Sequence, residues 1–379
     1  MVSGLAPSNI PNPDLQWERT TSMNFGFDWS MFKNRIQLNV DYYINRTDNL
    51  LFNVTIPYST GFNTFTDNIG AVQNMGWEID LTTFNIKKND FSWSTKFNIS
   101  RNSNKVLSLG EIKSFTTTSY DAIFLTEVGK PISQFYCYET CGILTKDCFD
   151  ELGNPTVPIM TGQQEGNPRY VDQNRDGRIT DADYAVCGNN LPDFTYGITN
   201  TFAWKGLELS ILLQGQAGGE VMFLGARQYD VGKSEANQFA RWLRSYKPDF
   251  TAIYGEGESP IPVEYIKAHG IDMSWDGKTP NVSYGAFASN DDRRIYDASY
   301  FRIKNITLRY TFPRKWFGEG KTVKGANVYV SADNVYTFSD YVGYNVEGNS
   351  FGNNTTMQGV DYSSYPLSRR IVFGGSITF

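Results

Sequence analysis

The sequence predicts an all-β protein, and more narrowly an antiparallel transmembrane β-barrel. Three observations support this fold class: strands in which apolar and polar residues alternate, a last strand that ends on an aromatic residue, and connections that are alternately short and long. In the last stretch, 369–379, one face of an extended strand carries Ile371, Phe373, Ile377 and Phe379. Barrel strands present such a face to lipid. An edge strand of a soluble β-sandwich is the alternative for this stretch alone.

Composition narrows the function classes. The 379 residues carry a formal net charge of −6, so no basic surface points to nucleic acid. Aromatic residues make up 15% of the chain, which is high for a soluble enzyme. We find no apolar run near 18 residues, so no transmembrane helix is predicted. This does not weigh against a barrel, because only alternate residues of a barrel strand face lipid.

The alternating pattern predicts eleven strands. In chain order they cover residues 23–29, 36–44, 77–81, 91–99, 122–128, 134–143, 194–204, 207–213, 299–312, 328–336 and 369–379.

Short and long connections alternate along these strands. If the last strand descends to the periplasm, every short turn falls on the periplasmic side and every long loop outside, as in outer-membrane barrels. Two of the loops are notably long, 144–192 and 218–298. The short turns are 33–35, 87–90, 129–131, 205–206 and 314–325.

One helix is predicted in the longer loop, over residues 234–246, because Phe239, Trp242, Leu243 and Tyr246 recur at helical spacing. Such a stripe indicates local packing more readily than a groove for a partner.

Four cysteines are too few for a disulfide scaffold. Cys137 and Cys141 lie four residues apart on one predicted strand, which is too far for a bond between them. Cys148 and Cys187 flank a loop within 144–192, and a disulfide between them is one open possibility.

One motif carries metal chemistry. Residues 172–183 have the spacing of an EF-hand calcium loop, with Gly177 at the sixth position for the sharp turn and Asp183 at the twelfth in place of the usual glutamate. No flanking helices are evident. The alternative is a turn held by its own side-chain-to-backbone hydrogen bonds. The predicted calcium ligands are Asp172, Asn174, Asp176, the carbonyl of Arg178, Thr180 through water, and Asp183.

No catalytic constellation is visible, so the chain is not predicted to be an enzyme. His269, the sole histidine, has no metal-ligand spacing around it. Asp291 and Asp292 beside Arg293 and Arg294 are interpreted as a solvated charge cluster.

Several segments, in this order, resemble the TonB-dependent outer-membrane transporters of the SusC/RagA type found in Bacteroidetes. Each segment alone is a weak signal, whereas the ordered set is specific and covers nearly the whole chain. The segments are 12–21 (NPDLQWERTT), 40–51 (VDYYINRTDNLL), 68–79 (NIGAVQNMGWEI), 128–136 (VGKPISQFY), 169–180 (RYVDQNRDGRIT), 298–313 (ASYFRIKNITLRYTFP) and 330–339 (VSADNVYTFS).

The resemblance covers only the carboxy-terminal part of such a transporter. The family's plug domain has no counterpart among residues 1–379, and eleven strands are half of a 22-stranded plugged barrel. The amino-terminal residues 1–13 also lack the pattern of a signal peptide. The expectation is therefore a piece of a longer outer-membrane polypeptide, because an open sheet would leave unpaired edges in lipid; one piece of a split barrel is the alternative.

The resemblance also implies function and partners. It implies uptake of oligosaccharides or peptides, driven by TonB through the missing amino-terminal part, with a SusD-like surface lipoprotein as a lid and lipid around the barrel. The alternative is a soluble or surface-attached β-rich binding or adhesion protein with a calcium-stiffened loop. Aromatic side chains of the external loops are the candidates for ligand or lid contact, with loop packing or an aromatic girdle as the alternative: Tyr336, Phe338, Tyr341, Tyr344, Phe351, Tyr362 and Tyr365.

Overall fold

The computed structural model describes most of the chain, and β-strands make up most of the regular structure in it. The described residues are 10–55, 58–62, 64–230, 237–246, 268–270, 272, 274–281, 290–317 and 322–379.

Eighteen strands lie within these residues. In chain order they are β1 (Arg19–Met31), β2 (Ile36–Thr55), β3 (Thr64–Lys87), β4 (Phe91–Leu109), β5 (Ser114–Ser119), β6 (Ala122–Glu127), β7 (Gln134–Tyr138), β8 (Thr140–Ile143), β9 (Pro168–Tyr170), β10 (Tyr184–Asn189), β11 (Phe194–Trp204), β12 (Leu207–Ala217), β13 (Glu220–Phe223), β14 (Ile295–Asp297), β15 (Tyr300–Thr311), β16 (Gly325–Phe338), β17 (Val360–Asp361) and β18 (Arg370–Thr378).

Helical structure in the described part is short. It consists of α1 (Ala226–Tyr229) and of 3-10 turns at Tyr58–Thr60, Lys146–Cys148, Asp181–Asp183, Ala240–Arg244, Asp292–Arg294 and Arg314–Trp316. The helix predicted over 234–246 is therefore wrong in its described part, 237–246, whose only helical turn is the five-residue 3-10 turn Ala240–Arg244, while 234–236 lie outside the described residues. Trp242 is buried and donates to the Asp230 carboxylate at 2.8 Å, so this segment does pack locally.

Nine strands form one large antiparallel sheet, in the order β1-β2-β3-β4-β11-β12-β15-β16-β18. Chain neighbours are spatial neighbours throughout, apart from the strands that fold separately above it. Each strand pairs with the next along its length, and the register shifts at irregularities in the β2–β3, β3–β4, β12–β15 and β15–β16 pairs. This meander agrees with the predicted antiparallel class, since short hairpins join antiparallel strands.

Two of the eleven predicted strands do not belong to this sheet. The segments predicted at 122–128 and 134–143 correspond to β6 and to β7 with β8; β6 and β7 join β5 and β10 in a separate four-stranded sheet, and β8 pairs with β9. The tight turn at 129–131 accordingly joins two loop strands. The error has a physical reason: any half-buried strand alternates with period 2, whether it faces lipid or a loop core. Because an even number of consecutive strands is taken out of the predicted barrel wall, the predicted direction of every other strand across the membrane is unchanged.

One face of the large sheet is apolar along entire rows of paired residues. The residue next along each strand points to the opposite face, and there the rows are polar. An apolar row runs Trp29, Leu38, Leu81, Phe97, Ile198, Leu213, Ile303 and Tyr336. The adjacent row, polar except at Leu212, runs Ser30, Gln37, Thr82, Lys96, Thr199, Leu212, Asn305, Asp333 and Arg370.

Large apolar side chains on the apolar face are exposed. Phe25 is 64% exposed, Phe27 57%, Ile371 66% and Phe373 80%. A soluble protein rarely leaves so much contiguous apolar surface uncovered. A barrel strand in lipid does so by design.

Tight turns cluster at one end of the sheet. Lys205 and Gly206 both have positive φ, 46° and 91°, as a two-residue type I′ hairpin requires. The turn between β1 and β2 places Phe32, Lys33 and Asn34 in the left-handed region as well. At this end Lys324 donates its N–H to the Thr378 carbonyl, so the last strand finishes beside these turns.

Two tyrosines of the sheet lie over glycines of the adjacent strand. The Tyr43 ring covers Gly76, and the Tyr329 ring covers Gly374, so a Cβ at either glycine would meet the ring. Both glycines are paired directly with their tyrosine. The aromatic ring thus covers backbone that a glycine leaves bare.

Candidate functional site

The three long connections pack together at the end of the sheet opposite the tight turns. We refer to the described residues of 110–193, 218–299 and 339–369 as the loop assembly. One buried cluster contains Phe124 and Phe135 from the first connection, Met222 from the second and Val360 from the third. Much of the buried apolar core therefore lies in the loops, because the apolar face of the large sheet points outward.

The predicted calcium loop forms a compact turn. The Asp172 carboxylate accepts N–H groups from Asp176 at 3.2 Å and Gly177 at 2.9 Å. The Asn174 side chain accepts from Asp176 at 2.8 Å, and Asp176 accepts from Arg178 at 2.9 Å. Gly177 has φ +86°, the left-handed conformation that the sharp turn requires.

Asp183 anchors this turn from its far end. It is fully buried, and its two oxygens accept backbone N–H groups from Gln173 at 3.0 Å and Thr180 at 2.8 Å. The Thr180 hydroxyl in turn caps the short 3-10 turn that ends at Asp183. All the predicted ligands therefore lie in one loop. The same hydrogen bonds are also expected for the alternative, a turn held by its own side-chain-to-backbone hydrogen bonds without an ion.

The donor set is compatible with a hard cation. Carboxylate, amide and carbonyl oxygens are the ligands that Ca²⁺ prefers. The two oxygens of Asp183 each accept two hydrogen bonds within the loop, from Gln173 and Asn174 and from Thr180, so Asp183 would have to exchange some of them for the ion. Within the described residues, no three His, Cys, Asp or Glu side chains are grouped so that they alone could hold a metal ion. A calcium site here therefore depends on the Asn174 amide and on a backbone carbonyl as well.

Asp291 is buried, contrary to the expectation of a solvated charge cluster. Its side chain is 0% exposed and pairs with the Arg293 guanidinium at 2.6 Å. Asp292 accepts from the N–H of Thr140 at 3.1 Å and its hydroxyl at 2.6 Å, and Arg294 is 6% exposed. Adjacent charges resemble solvated surface in a sequence, whereas here they connect the first and second connections.

Four carboxylates line part of a cleft of about 540 Å³. They are Asp292 of this cluster together with Asp193, Glu220 and Asp297. Burial raises the pKa of Glu220, and the carboxylates of Asp297 and Asp193 add to this, against the N–H of Asn189. Burial likewise raises the pKa of Asp292, although its hydrogen bonds from Thr140 act in the opposite direction. Glu220 and Asp292 of this cleft thus have pKa values above those of exposed carboxyl groups.

The predicted contact aromatics divide into two groups. Tyr341 is 8% exposed and donates to the Asp361 carboxylate at 2.6 Å, while Phe351 packs against the cluster around Phe124. These two occupy packing positions, as the alternative interpretation described. The other five are exposed by at least a third: Tyr336 (48%), Phe338 (51%), Tyr344 (77%), Tyr362 (36%) and Tyr365 (90%).

The exposed aromatics differ in where they point. Tyr336 and Phe338 lie on strand β16, in rows with Ile303 and Phe301 of the apolar face. Their rings contact each other, with centroids 4.6 Å apart. Tyr344 lies in the loop above, and Tyr336 and Tyr344 line a cleft of about 250 Å³ together with Arg302 and Arg369. This cleft joins the barrel wall to the last loop.

Arg302 is the residue that most clearly ties the loop assembly to the large sheet, and sequence reasoning missed it. It lies on the polar face of β15 and is 1% exposed. Its guanidinium donates to Glu347 at 2.5 Å and to the Thr337 hydroxyl at 2.8 Å, and it lies 4.6 Å from the Tyr300 ring centroid. Tyr300 also donates to Glu347, at 2.6 Å. The only signal available in the sequence was an arginine in an inward-facing position of a strand.

The disulfide differs from the open possibility of a Cys148–Cys187 bond. Cys187 bonds to Cys137 across the β7–β10 pair, with 6.3 Å between the Cα atoms. Cys148 is buried and Cys141 exposed, and both are free thiols. Cys187 lies at the register shift between Val186 and Gly188 of this pair, a feature that residue spacing alone does not reveal.

Sequence reasoning also missed Tyr120, which is 64% exposed on the first connection. Its ring stacks on Tyr362 of the last loop, with centroids 5.3 Å apart. Arg227 lies 5.8 Å from the Tyr120 ring centroid and pairs with Asp121 at 2.6 Å. All three connections therefore meet on this exposed surface as well as in the core.

The described part of the chain contains no helix of the length and hydropathy needed to cross a membrane. His269 is exposed in the second connection.

The large sheet with one apolar face, the tight turns at one end and the packed loops at the other define part of the wall of a membrane-spanning β-barrel of the outer-membrane class. Comparison with known families agrees: residues 3–335 match the family model described as "TonB dependent receptor-like, beta-barrel". The chain belongs to this family.

Curated relatives extend over the whole chain. It is 30% identical to TonB-dependent receptor P3 and 32% identical to TonB-dependent receptor P26, both of Formosa agariphila, and covers 36% of each. It is 27% identical to TonB-dependent receptor SusC of Bacteroides thetaiotaomicron, and the match covers 97% of this chain and 32% of that protein. The chain thus spans about a third of the length of the curated relatives it matches.

Solved structures show the same fold. The RagAB peptide importer in its closed-closed state superposes with a TM-score of 0.74 at 22% identity, over 99% of this chain and 37% of that one. The open-open state gives a TM-score of 0.71 at 23% identity, over 99% and 36%.

These findings confirm the predicted fold class, the family resemblance and the location in the outer membrane. The relatives are receptors and transporters, not enzymes, which confirms that part of the prediction.

Proposed function

We propose that this chain forms barrel wall and external loops of a TonB-dependent transporter of the SusC/RagA type that imports oligosaccharides or peptides. The single observation that carries the proposal is family membership over residues 3–335, with a named SusC among the relatives. The exposed apolar rows of the sheet support it, because a soluble adhesion protein would cover them.

The length of the relatives supports a further part of the proposal. Because the chain spans about a third of them, the plug, the segment that TonB engages and the other strands would belong to the same longer polypeptide. An antibody against the 370–379 strand, used on purified outer membranes, measures the mass of the native polypeptide. A band far above 42.9 kDa is expected, and a band at 42.9 kDa would contradict this part of the proposal.

A SusD-like lipoprotein is the proposed partner above the loop assembly. The assembly offers a surface on which exposed aromatics from several connections lie near arginines, the composition typical of binding hot spots. Tyr344, Tyr365 and the stacked pair Tyr120 and Tyr362 are exposed members of this surface. Aromatic rings would also stack on sugar or peptide groups.

Replacing Tyr344 and Tyr365 together with alanine is expected to weaken lid or ligand binding about tenfold or more, since truncating a hot-spot aromatic costs upward of about 1 kcal/mol. Co-purification of the lipoprotein and uptake of labelled oligosaccharides and peptides measure the two effects. Phe32→Ala is the matched control, because Phe32 is also exposed, at 68%, but lies at the opposite end of the sheet. Equal behaviour of both variants would contradict the proposed surface.

We also propose that the loop 172–183 binds Ca²⁺. Asp172, Asn174, Asp176, Thr180 and Asp183 would hold the ion, with the carbonyl of Arg178, and the bound ion would stiffen the first connection. The support is the EF-hand spacing and the hard-oxygen donor set gathered in one turn. An affinity in the range of about 10⁻⁴–10⁻³ M, typical of extracellular modules, would suit the exposed side of the membrane.

Asp172→Asn with Asp176→Asn is expected to abolish calcium binding, because two anionic ligands become neutral while their size is kept. Calcium titration followed by calorimetry, and protease resistance of the loop with and without calcium, are the measurements. Asp150→Asn serves as control, since Asp150 holds a similar turn through the N–H groups of Leu152 and Asn154. Unchanged calcium uptake in the double variant would leave only the self-held turn.

A further inference from the structure

The tight-turn end of the large sheet is strongly basic. We define the turn rim as the described residues of four turns: 32–35, 87–90, 204–207, and 312–317 with 322–325, which belong to the same turn. The first two turns contribute four basic residues, Lys33, Arg35, Lys87 and Lys88.

The other two turns contribute Lys205, Arg314, Lys315 and Lys324. All eight basic residues of the turn rim are exposed. Asp90 is the one acidic residue of these ranges, and it lies 3.9 Å from Lys205. The turn rim has a formal net charge of +7, whereas the chain as a whole carries −6, so the remainder carries −13.

The charges of the turn rim are largely unneutralised within the described residues. Apart from the exposed Lys205–Asp90 pair, no ion pair of the described part involves a basic residue of the turn rim. Residues 318–321, outside the described part, contain one glutamate and one lysine and leave the sum unchanged. Arg35 donates to the carbonyls of Phe84 and Asn85 and so also holds its own turn.

Exposed aromatic rings accompany these charges. Phe32 is 68% exposed, Trp204 55% and Trp316 56%, and the Lys205 ammonium lies 5.7 Å from the Trp204 ring centroid. The apolar face of the sheet begins directly beyond them, at Trp29 and Leu207. Aromatic rings of this kind settle at the level of lipid headgroups, between hydrocarbon and water.

From this juxtaposition, we propose that the turn rim binds the anionic headgroups of glycerophospholipids in the periplasmic leaflet. Short turns lie on the periplasmic side of outer-membrane barrels, which places the rim at that leaflet. Lysine and arginine side chains near an anionic surface attract it, while the rings fix their depth. Continuity with the lipid-facing rows favours a lipid over an acidic periplasmic protein. The proposal rests on the outer-membrane location and goes beyond transport.

To test this proposal, the transporter that contains this chain is purified and placed in nanodiscs with equal amounts of phosphatidylglycerol and phosphatidylcholine. Native mass spectrometry then measures which of the two lipids the protein retains. Wild type is expected to retain phosphatidylglycerol preferentially, less so at 0.5 M salt because of screening. Each basic group at such a surface contributes about fivefold. The variant Lys33→Gln, Lys88→Gln, Lys315→Gln and Lys324→Gln is therefore expected to lose the preference by at least tenfold.

A matched variant makes the same change in charge at the loop end: Lys105→Gln, Lys113→Gln, Lys130→Gln and Lys146→Gln, all at exposed lysines. It is expected to retain wild-type lipid preference. Equal losses in both variants, no preference in wild type, or an acidic protein lost from the rim variant with lipid retention intact would overturn the proposal. Heat-dependent migration on gels shows whether each variant barrel has folded. The milder variant Lys33→Gln with Lys324→Gln is expected to lose the phosphatidylglycerol preference severalfold. Inorganic phosphate that displaced the lipid fully would also overturn it.

Discussion

Replacing Cys137 with serine is expected to lower the stability of the first connection of the loop assembly by about 4 kcal/mol, the chain-entropy value for a disulfide closing a loop of 50 residues. The closed loop contains the buried Asp183 and the calcium motif, so opening it gives both more freedom in the unfolded ensemble. Hydrogen exchange of the segment 134–189 and limited proteolysis would measure the loss.

Cys141→Ser is the control for that substitution. Cys141 is an exposed free thiol on the neighbouring strand β8, so its replacement is expected to change exchange rates little. Cys187→Ser should reproduce the effect of Cys137→Ser, and a reducing agent should bring wild type to the same state. If both serine variants kept wild-type protection, the bond would contribute nothing to the folded loop.

Replacing Arg302 with alanine is expected to cost about 3 kcal/mol and to release the last loop from the barrel wall. Removing one partner of a buried ion pair costs about 3–5 kcal/mol, and the lower end applies because the Glu347 side chain is 36% exposed. The loss also leaves the Thr337 hydroxyl without its donor. Hydrogen exchange over 339–369 and lipoprotein binding would both report it.

Arg309→Ala provides the comparison on the same strand. Arg309 lies 3.7 Å from Glu208, and their side chains are 45% and 42% exposed, so the pair is expected to contribute less than about 1 kcal/mol. A double variant, Arg302→Leu with Glu347→Leu, is expected to recover much of the stability, because neither charge is then left alone. Arg302→Ala and Arg309→Ala with equal effects would refute the anchoring role.

Sequence reasoning predicted the large sheet well because lipid imposes a strict rule on each strand. Rows such as Trp29, Leu38 and Leu81 must be apolar whatever the rest of the chain does, so period 2 is visible in each strand separately. The same rule could not separate β6 and β7 from the barrel strands. Their inward residues Phe124 and Phe135 face a protein core and alternate in the same way.

Long-range pairings were beyond the reach of the sequence. The Cys137–Cys187 bond depends on the register of β7 and β10, and the Arg302–Glu347 pair on how a loop of 31 residues between β16 and β18 folds back. Asp291 illustrates the same limit for charge, since its burial depends on Tyr170 from a distant segment. The calcium motif was found because all its donors lie within twelve residues.

The first connection leaves the large sheet after β4 and returns at β11, and these two strands are direct neighbours. The two ends of this connection therefore lie side by side at the loop end of the sheet, opposite the turn rim. A cassette with such closely spaced ends can be exchanged between relatives while β4 and β11 keep their mutual hydrogen bonds. The backbone hydrogen bonds of Val106 on β4 with Gly129 and Lys130 of the connection would change with it. Sequence changes can thus accumulate in residues 110–193 while the strands that face lipid stay the same.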